Sequence, residues 1–302
     1  MKTLYEELLQ RPDLESFIRD SMKESQIYNI SNVSAYMSEH RILYNEVLEK
    51  FPVFTPPHPI VWAEFTDGDN PSYNIGYLCV RQDIDQVRAK LPPEIVFTDA
   101  RWHVSFFMFH RKRDIKENTL VLFEGKGIEV YYMLLNKDGT LTEQNGRKVV
   151  FGGFSSGFEK ILEEAGNPLP ENQVSSDLEY LATVLFGFCL THCKNTVIEE
   201  VEPFTGEKKK RNRHGRPGVK YKVLKIKPMG ATHKGVGQYT GGSTPSMHIR
   251  RGHFKTFTED APLFGKWTGL YWWESAVVAK KSKTKTTKDY AVLPPQETKE
   301  QP

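Results

Sequence analysis

The segment from Ser176 to Cys193 constrains the fold most strongly, because its apolar side chains recur at helical spacing. Apolar residues lie three or four positions apart at Leu178, Leu181, Ala182, Leu185, Phe186, Cys189 and Leu190. Such a pattern predicts a long helix that is buried against other elements. Ser176 precedes acidic residues of the first turn, which predicts that the helix begins there.

The chain between residues 60 and 136 predicts a sheet, because apolar residues alternate there with a period of two. Strands are predicted at 60–65, 73–80, 95–97, 102–110, 119–123 and 128–136, with a further strand at 219–227. Turn sequences such as Lys137-Asp-Gly-Thr separate several of them, which favours antiparallel pairing. Short helices are predicted at 83–91 and 158–165.

These patterns together predict an α+β protein with N-terminal helices, a mainly antiparallel sheet, one long buried helix and a small β-rich basic C-terminal region. Four regions follow from them. Residues 1–50 form a helical N-terminal segment and residues 60–200 an α+β core. Residues 201–279 form the basic β-rich region, which could share that core. Residues 280–302 are low in apolar content and are predicted to be a disordered tail.

The two parts of the chain carry opposite charge. Residues 201–302 hold 21 Lys and Arg against 8 Asp and Glu, whereas residues 1–200 hold 20 against 30. A basic third of a protein usually meets a phosphate backbone or an acidic partner. No apolar run approaches the roughly 18 residues needed to span a bilayer. The first 15 residues include acidic side chains where a signal peptide needs an apolar core, so a cytoplasmic location is predicted.

Cations and aromatic rings are concentrated between His248 and Trp273. Flat rings can stack on bases and arginine forks bind phosphates, so this segment predicts a nucleic-acid interface. The basic arm at residues 208–216 could follow a phosphate backbone. The candidate nucleic-acid-binding residues are Lys209, Arg211, Arg213, Arg216, Arg250, Arg251, Lys255, Lys266, Trp267 and Tyr271. The structural alternative is that the arginines fix loops and that the arm is a solvated linker.

Alternation along a strand limits how the aromatic residues can act. Trp272 and Trp273 are adjacent, so they face opposite ways on a strand, and at least one is expected in the core. The same rule places His248 and His253 on opposite faces of a regular strand over residues 248–256. A bulge at Gly252 could bring both histidines to one face.

Enzymatic activity stays open at this stage. His248 and His253 could serve as acid and base of a metal-independent endoribonuclease or toxin-like enzyme, with an arginine stabilising the phosphorane. No complete catalytic motif accompanies them, and the glycine-rich loop at 230–244 lacks the order of a phosphate-binding loop.

The sequence predicts no metal site and no cofactor. Cys189, His192 and Cys193 have helical spacing suited to a metal, but no fourth ligand is indicated and core cysteines are favoured. Three cysteines in the whole chain cannot build a disulfide framework.

A resemblance covers residues 175–279. The apolar helix, the strand start at Val197–Glu202, the basic linker and the sequence His-Ile-Arg-Arg-Gly-His-Phe-Lys before an aromatic strand resemble uncharacterised phage and prophage proteins. Those proteins carry an H-x-R-R-G-H-[FW]-[RK] box. The resemblance implies a phage or mobile-element setting and a role in host takeover or counter-defence, and it brings no assigned activity.

The leading functional hypothesis is therefore a phage-type nucleic-acid-binding protein that prefers RNA to DNA. The endoribonuclease is one alternative. The other is a protein that binds an acidic surface of a host protein, which the basic C-terminal third would recognise.

Overall fold

A computed structural model describes residues 3–70, 73–91, 100–112, 129–144, 147–148, 150–152, 171–201, 220–226 and 248–278. Within these ranges the chain is an α+β protein with an eight-stranded sheet and helices on both faces of it. The predicted fold class is confirmed. The predicted strands at 95–97 and 119–123, the helix at 158–165, the basic arm and the tail lie outside the described residues.

The helices are α1 (Leu4–Leu9), α2 (Ser16–Glu24), α3 (Ser31–His40), α4 (Tyr44–Lys50), α5 (Ile84–Val87) and α6 (Glu171–Thr191). The main sheet contains β1 (Gln26–Asn29), β2 (Ile60–Thr66), β3 (Tyr73–Asp83), β4 (Ala100–Lys112), β5 (Glu129–Asn136), β8 (Val150–Gly152), β9 (Thr196–Val201) and β10 (Tyr221–Ile226). The smaller ladders use β6 (Glu143–Gln144), β7 (Arg147–Lys148), β11 (His248–Arg250), β12 (His253–Phe257), β13 (Gly269–Trp273) and β14 (Ala276–Val278).

The strand order is β8-β5-β4-β3-β2-β1-β10-β9. β1 is parallel to both of its neighbours, and the other adjacent pairs are antiparallel. Residues 1–50 were predicted to be helical only, and that prediction is wrong at β1. The strand β10 belongs to the basic region 201–279, so this region shares the main sheet.

The sheet separates two apolar layers. Along β2, Val61 and Phe65 pack with α3, α4 and α6, whereas Trp62 packs with α1 and α2 on the other face. The period of two in the sequence produces this division, because successive side chains point to opposite faces. The buried Glu64 carboxylate accepts hydrogen bonds from the backbone amides of Leu4 and Tyr5, and thereby fixes the start of α1 to the sheet.

The helix α6 is buried on all sides along its second half. It begins at Glu171 rather than at Ser176, and the ten residues from Leu181 to Leu190 are all buried. Phe188 faces the sheet, where its ring stacks on Phe106, and Phe186 faces Trp272 of the C-terminal hairpin. Because the helix is enclosed between the sheet and the C-terminal hairpin, it carries apolar side chains on all of its faces. Among the described residues no helix, α6 included, is long and apolar enough to cross a membrane.

The strand β9 lies at one end of the sheet and pairs only with β10 among the described strands. Lys225 on β10 forms an ion pair with Glu199 at 2.5 Å, and Lys220, directly before β10, forms one with Glu200 at 3.7 Å. Ile198 and Val201 on β9 are exposed.

The Asn195 side chain holds β13 to the segment after α6. Its Nδ2 donates to the Trp272 carbonyl oxygen at 2.8 Å, and its Oδ1 accepts from the Trp272 amide at 3.0 Å. Asn195→Ala would leave both buried backbone groups without these partners, so we expect the free energy of unfolding to fall by about 2–4 kcal/mol. Urea unfolding measures the change. Asn32→Ala is the control, because this exposed side chain makes one hydrogen bond, to Leu224. Equal losses in the two variants would contradict the prediction.

His103 is buried on β4, and burial lowers its pKa to about 4 from an ordinary value of 6.5. The unfolded chain therefore takes up this proton first as the pH falls. We expect His103 to reduce stability between pH 6.5 and pH 4, by up to about 1.4 kcal/mol per pH unit. Urea unfolding at pH 7 and pH 5 should show a smaller acid loss for His103→Gln than for the unaltered protein. The same acid loss in both proteins would refute this assignment.

Candidate nucleic-acid interface

The predicted interface segment folds as two short antiparallel ladders that follow one another. His248 is paired with Val278 in the first ladder, and His253 with Trp273 in the second. Arg251 and Gly252 separate the two ladders on one side, and Glu274 and Ser275 separate them on the other. Both sides of this interruption have two residues, so neither strand contains an extra one. The strand predicted over residues 248–256 is therefore broken at the glycine, without the register shift that a bulge gives.

The inner face of the second ladder joins the main core. Phe254 and Trp272 lie on this face with their ring centroids 4.6 Å apart, and both contact Phe186 of α6. Trp272 is buried. The prediction that at least one of Trp272 and Trp273 belongs to the core is confirmed, and it is Trp272.

Gly252 lies where the backbone passes close to the rings of Trp272 and Tyr36. A Cβ atom at this position would lie 2.6 Å from Trp272 Cζ2 and 2.6 Å from the Tyr36 hydroxyl oxygen. Real Cβ atoms do not come this close to other heavy atoms. The glycine therefore allows the hairpin to pack directly against α3.

Polar contacts on both sides of the interruption fix the hairpin to α3 and α4. Arg251 forms an ion pair with Glu46 of α4, with 3.6 Å between Nη1 and Oε2. His40 Nδ1 contacts the Tyr36 carbonyl oxygen at 2.9 Å, and its Nε2 is 2.7 Å from Ser275 Oγ. Because the carbonyl requires a proton on Nδ1, Nε2 accepts the hydrogen bond that the Ser275 hydroxyl donates.

Of the two histidines proposed as acid and base, only His253 has a described side chain. His253 is partly exposed, and its Nδ1 lies 3.3 Å from the Arg251 carbonyl oxygen. The side chains of His248 and Arg250 lie outside the described residues. A catalytic pair of His248 and His253 stays a prediction, and the unshifted register gives it no support.

The outer face of the second ladder carries Lys255 and Tyr271, which are paired across the strands. Lys255 is exposed, with its ammonium nitrogen 4.8 Å from the Phe257 ring centroid. Tyr271 is only 7% exposed, and its ring packs edge-on against Phe257. The prediction that Tyr271 binds nucleic acid is therefore corrected: its ring is covered and cannot stack on a base.

The loop between β12 and β13 presents two exposed rings, which we call the aromatic tip (Phe264, Lys266 and Trp267). The side chains of Phe264 and Trp267 are 58% and 48% exposed, and the rings meet edge-to-face. Lys266 Nζ lies 5.4 Å from the Trp267 ring centroid. Two backbone hydrogen bonds between Leu263 and Trp267 close the loop, so the tip has a defined shape.

Phe264 is a component of this surface that the sequence analysis missed. Pro262 and Gly265 flank it, and such residues are typical of turns that expose their central side chains. Of the predicted basic residues, Arg251, Lys255 and Lys266 are exposed on the hairpin. Lys209, Arg211, Arg213 and Arg216 lie outside the described residues.

A cleft of about 440 Å³ lies elsewhere, between α3, α6 and the loop after β2. Asp67, Asp69, Glu179 and Arg41 are among the residues that line it. The Asp67 carboxylate accepts a hydrogen bond from the Tyr180 hydroxyl, and Glu179 accepts one from the Tyr44 amide. The excess of carboxylates makes this cleft unsuitable for a polyanion.

The three residues with metal-ligand spacing lie at the end of α6, with Cys189 in its last turn and His192 and Cys193 directly after it. Burial raises the pKa of the Cys193 thiol to about 12 and raises that of Cys189 well above its ordinary value, so both side chains are buried as neutral thiols. His192 Nε2 lies 2.8 Å from the Thr55 carbonyl oxygen. In the ranges that the structure describes, no three His, Cys, Asp or Glu side chains are grouped to hold a metal ion.

Comparison with known families places the chain among the counter-defence proteins of phages. Residues 39–258 match the AcrVA2-like family, anti-CRISPR type V subtype A2, and the chain belongs to this family. The phage counter-defence role that the resemblance implied is confirmed. The match includes β11 and β12 and ends before the aromatic tip. No curated protein and no solved structure matches the chain.

Gly252→Ala tests the close approach at the interruption. The added methyl group would force Trp272 and Tyr36 to move, so we expect a loss of about 1–3 kcal/mol in the free energy of unfolding. Gly187→Ala is the matched control, because the nearest atom to its Cβ lies at 3.5 Å and alanine favours a helix. Urea unfolding should show the first variant less stable than the unaltered protein and the second equally or more stable. A Gly252→Ala protein of unchanged stability would refute the packing argument.

Proposed function

We propose that this anti-CRISPR protein acts in the cytoplasm of the infected cell by binding nucleic acid, with RNA preferred, through the hairpin of β12 and β13. The observation that carries the proposal is the aromatic tip. Trp267 is a flat, half-exposed ring next to a lysine, and stacking of one base on such a ring contributes about 1–3 kcal/mol.

The charges of the hairpin support the same proposal. Among the described residues, no carboxylate forms an ion pair with Lys255 or Lys266, so both ammonium groups are available to phosphates. Arg251 is exposed as well, although Glu46 is its ion-pair partner. Contacts of these three cations with phosphates would make the affinity depend on salt concentration. Stacking on Trp267 would contribute affinity that depends less on salt.

The preference for RNA is supported by the family. CRISPR effectors locate their targets through a guide RNA, so an anti-CRISPR protein meets RNA bound to its opponent. Single-stranded RNA exposes its bases for stacking, whereas paired bases in a duplex are covered. We therefore infer that the ligand is single-stranded RNA.

Trp267→Ala should weaken binding to a single-stranded RNA oligonucleotide by about 10-fold to 100-fold, because one stacking contact is lost. Lys266→Gln should weaken binding less and should reduce the slope of log affinity against log salt by about one unit. Mobility-shift titrations at several salt concentrations measure both quantities, and DNA of the same sequence measures the preference for RNA.

The matched controls are Phe17→Ala and Lys23→Gln. Phe17 is 50% exposed on α2, similar to Trp267, and Lys23 forms an ion pair with Asp20. RNA affinity that changes equally in Trp267→Ala and Phe17→Ala would exclude the aromatic tip as the contact. Affinity that is independent of salt would exclude binding to phosphates. A host protein that stays bound in nuclease-treated lysate without any RNA affinity would favour the acidic-protein alternative.

A further inference from the structure

Three basic side chains from separate parts of the chain lie near one another in the main sheet. His58 lies just before β2, Arg81 is on β3 and Lys222 is on β10. Lys222 Nζ is 3.5 Å from His58 Nε2, and the charges of both Lys222 and Arg81 act on His58. All three side chains are partly buried. We call them the basic triad.

Aromatic rings form the sides of the basic triad. Lys222 Nζ lies 5.7 Å from the ring centroid of Tyr28, and the His58 ring is tilted against Tyr28 at 6.2 Å. The Arg81 guanidinium lies 5.0 Å from the Trp102 ring centroid. These rings hold the cations in place without neutralising them, because a ring quadrupole attracts a cation but carries no net charge.

The described carboxylates near the basic triad have other partners. Glu200 is paired with Lys222 across the strands, but its carboxylate forms its ion pair with Lys220. Asp83 on β3 binds Arg101 at 2.7 Å. No ion pair joins His58, Arg81 or Lys222 to any acid in the part of the chain that the structure describes.

Like charges this close together repel each other, and partial burial strengthens the repulsion. Consistently, desolvation and the two neighbouring cations lower the pKa of His58, and desolvation lowers the pKa of Arg81. The imidazole is then neutral at pH 7, and its Nε2 accepts a hydrogen bond from the Lys222 ammonium. The ammonium has two further donors, and the guanidinium uses one donor on the Pro56 carbonyl oxygen at 3.3 Å and has four more.

We propose that the basic triad is a binding site for a phosphate group, supplied either as free phosphate or as a phosphodiester of a nucleic acid. A phosphate group offers several acceptor oxygens and the negative charge that offsets the repulsion. Arginine and lysine together match this need, because the guanidinium binds two oxygens side by side and the ammonium binds as a point charge. The site is separate from the aromatic tip and does not require it.

The test is a titration of the full chain with inorganic phosphate at constant ionic strength, followed by the NMR signals of the His58 ring. His58→Gln identifies these signals. Bound phosphate should shift them in a saturable way and should raise the pKa of His58, because an anion favours the imidazolium. Among the described residues, Tyr28, Arg81 and Lys222 act on this ring.

Lys222→Gln should weaken phosphate binding at least about 10-fold, since one of two full charges is lost. Lys225→Gln is the matched control on the same strand, because Lys225 is already paired with Glu199. Arg81→Gln provides a second variant if Lys222→Gln does not fold. Trp267→Ala should leave the phosphate titration unchanged.

A second titration, with single-stranded RNA, distinguishes the two sources of phosphate. A His58 response to RNA that Lys222→Gln removes supports a phosphodiester ligand, and a response to inorganic phosphate alone supports free phosphate. The proposal is overturned if neither ligand shifts the His58 signals in a saturable way. It is also overturned if Lys222→Gln and Lys225→Gln lower the affinity equally.

Discussion

The attachment of β13 to the core through Trp272 is the constraint on which the C-terminal surface depends. The indole contacts the rings of Tyr36, Phe51, Phe186 and Phe254, and the Asn195 amide group binds both the amide and the carbonyl group of Trp272. The indole N–H has no acceptor among the described residues, which costs about 1–3 kcal/mol. Ring packing and the two Asn195 bonds offset that cost. A hairpin held in this way can present Lys255 and Trp267 at fixed positions.

Most of the sheet could be predicted from the sequence, because β2 to β5 are long strands whose apolar residues alternate. The strand β1 could not, since it has four residues, of which only Tyr28 is buried, and its parallel pairing leaves no turn sequence beside it. The helix α6 was predicted to begin too late. Ser176 resembles a capping residue, but the helix already begins five residues earlier, at Glu171.

The site was less predictable than the sheet, because it depends on which face of the hairpin packs against α6. Alternation required that Trp272 and Trp273 point apart, but only the packing with Phe186 decides which of them is buried. Tyr271 lies on the other face from Trp272, and it is covered by Phe257, a contact that strand periodicity does not reveal. Counting charges showed a basic C-terminal third. It could not show that Arg251 is paired with Glu46, or that His58, Arg81 and Lys222 meet from distant parts of the chain.

The end of the sheet at β9 has a consequence for the solubility of the protein. Among the described strands β9 is an edge strand, and an edge with exposed Ile198 and Val201 is a template on which a second polypeptide can add. Glu199 and Glu200 lie between these apolar residues; Lys225, the partner of Glu199, is on β10, and Lys220, the partner of Glu200, directly precedes β10. A strand arriving from another molecule would have to desolvate these carboxylates. Charges at these positions therefore disfavour the addition of a further strand, as gatekeeper residues do.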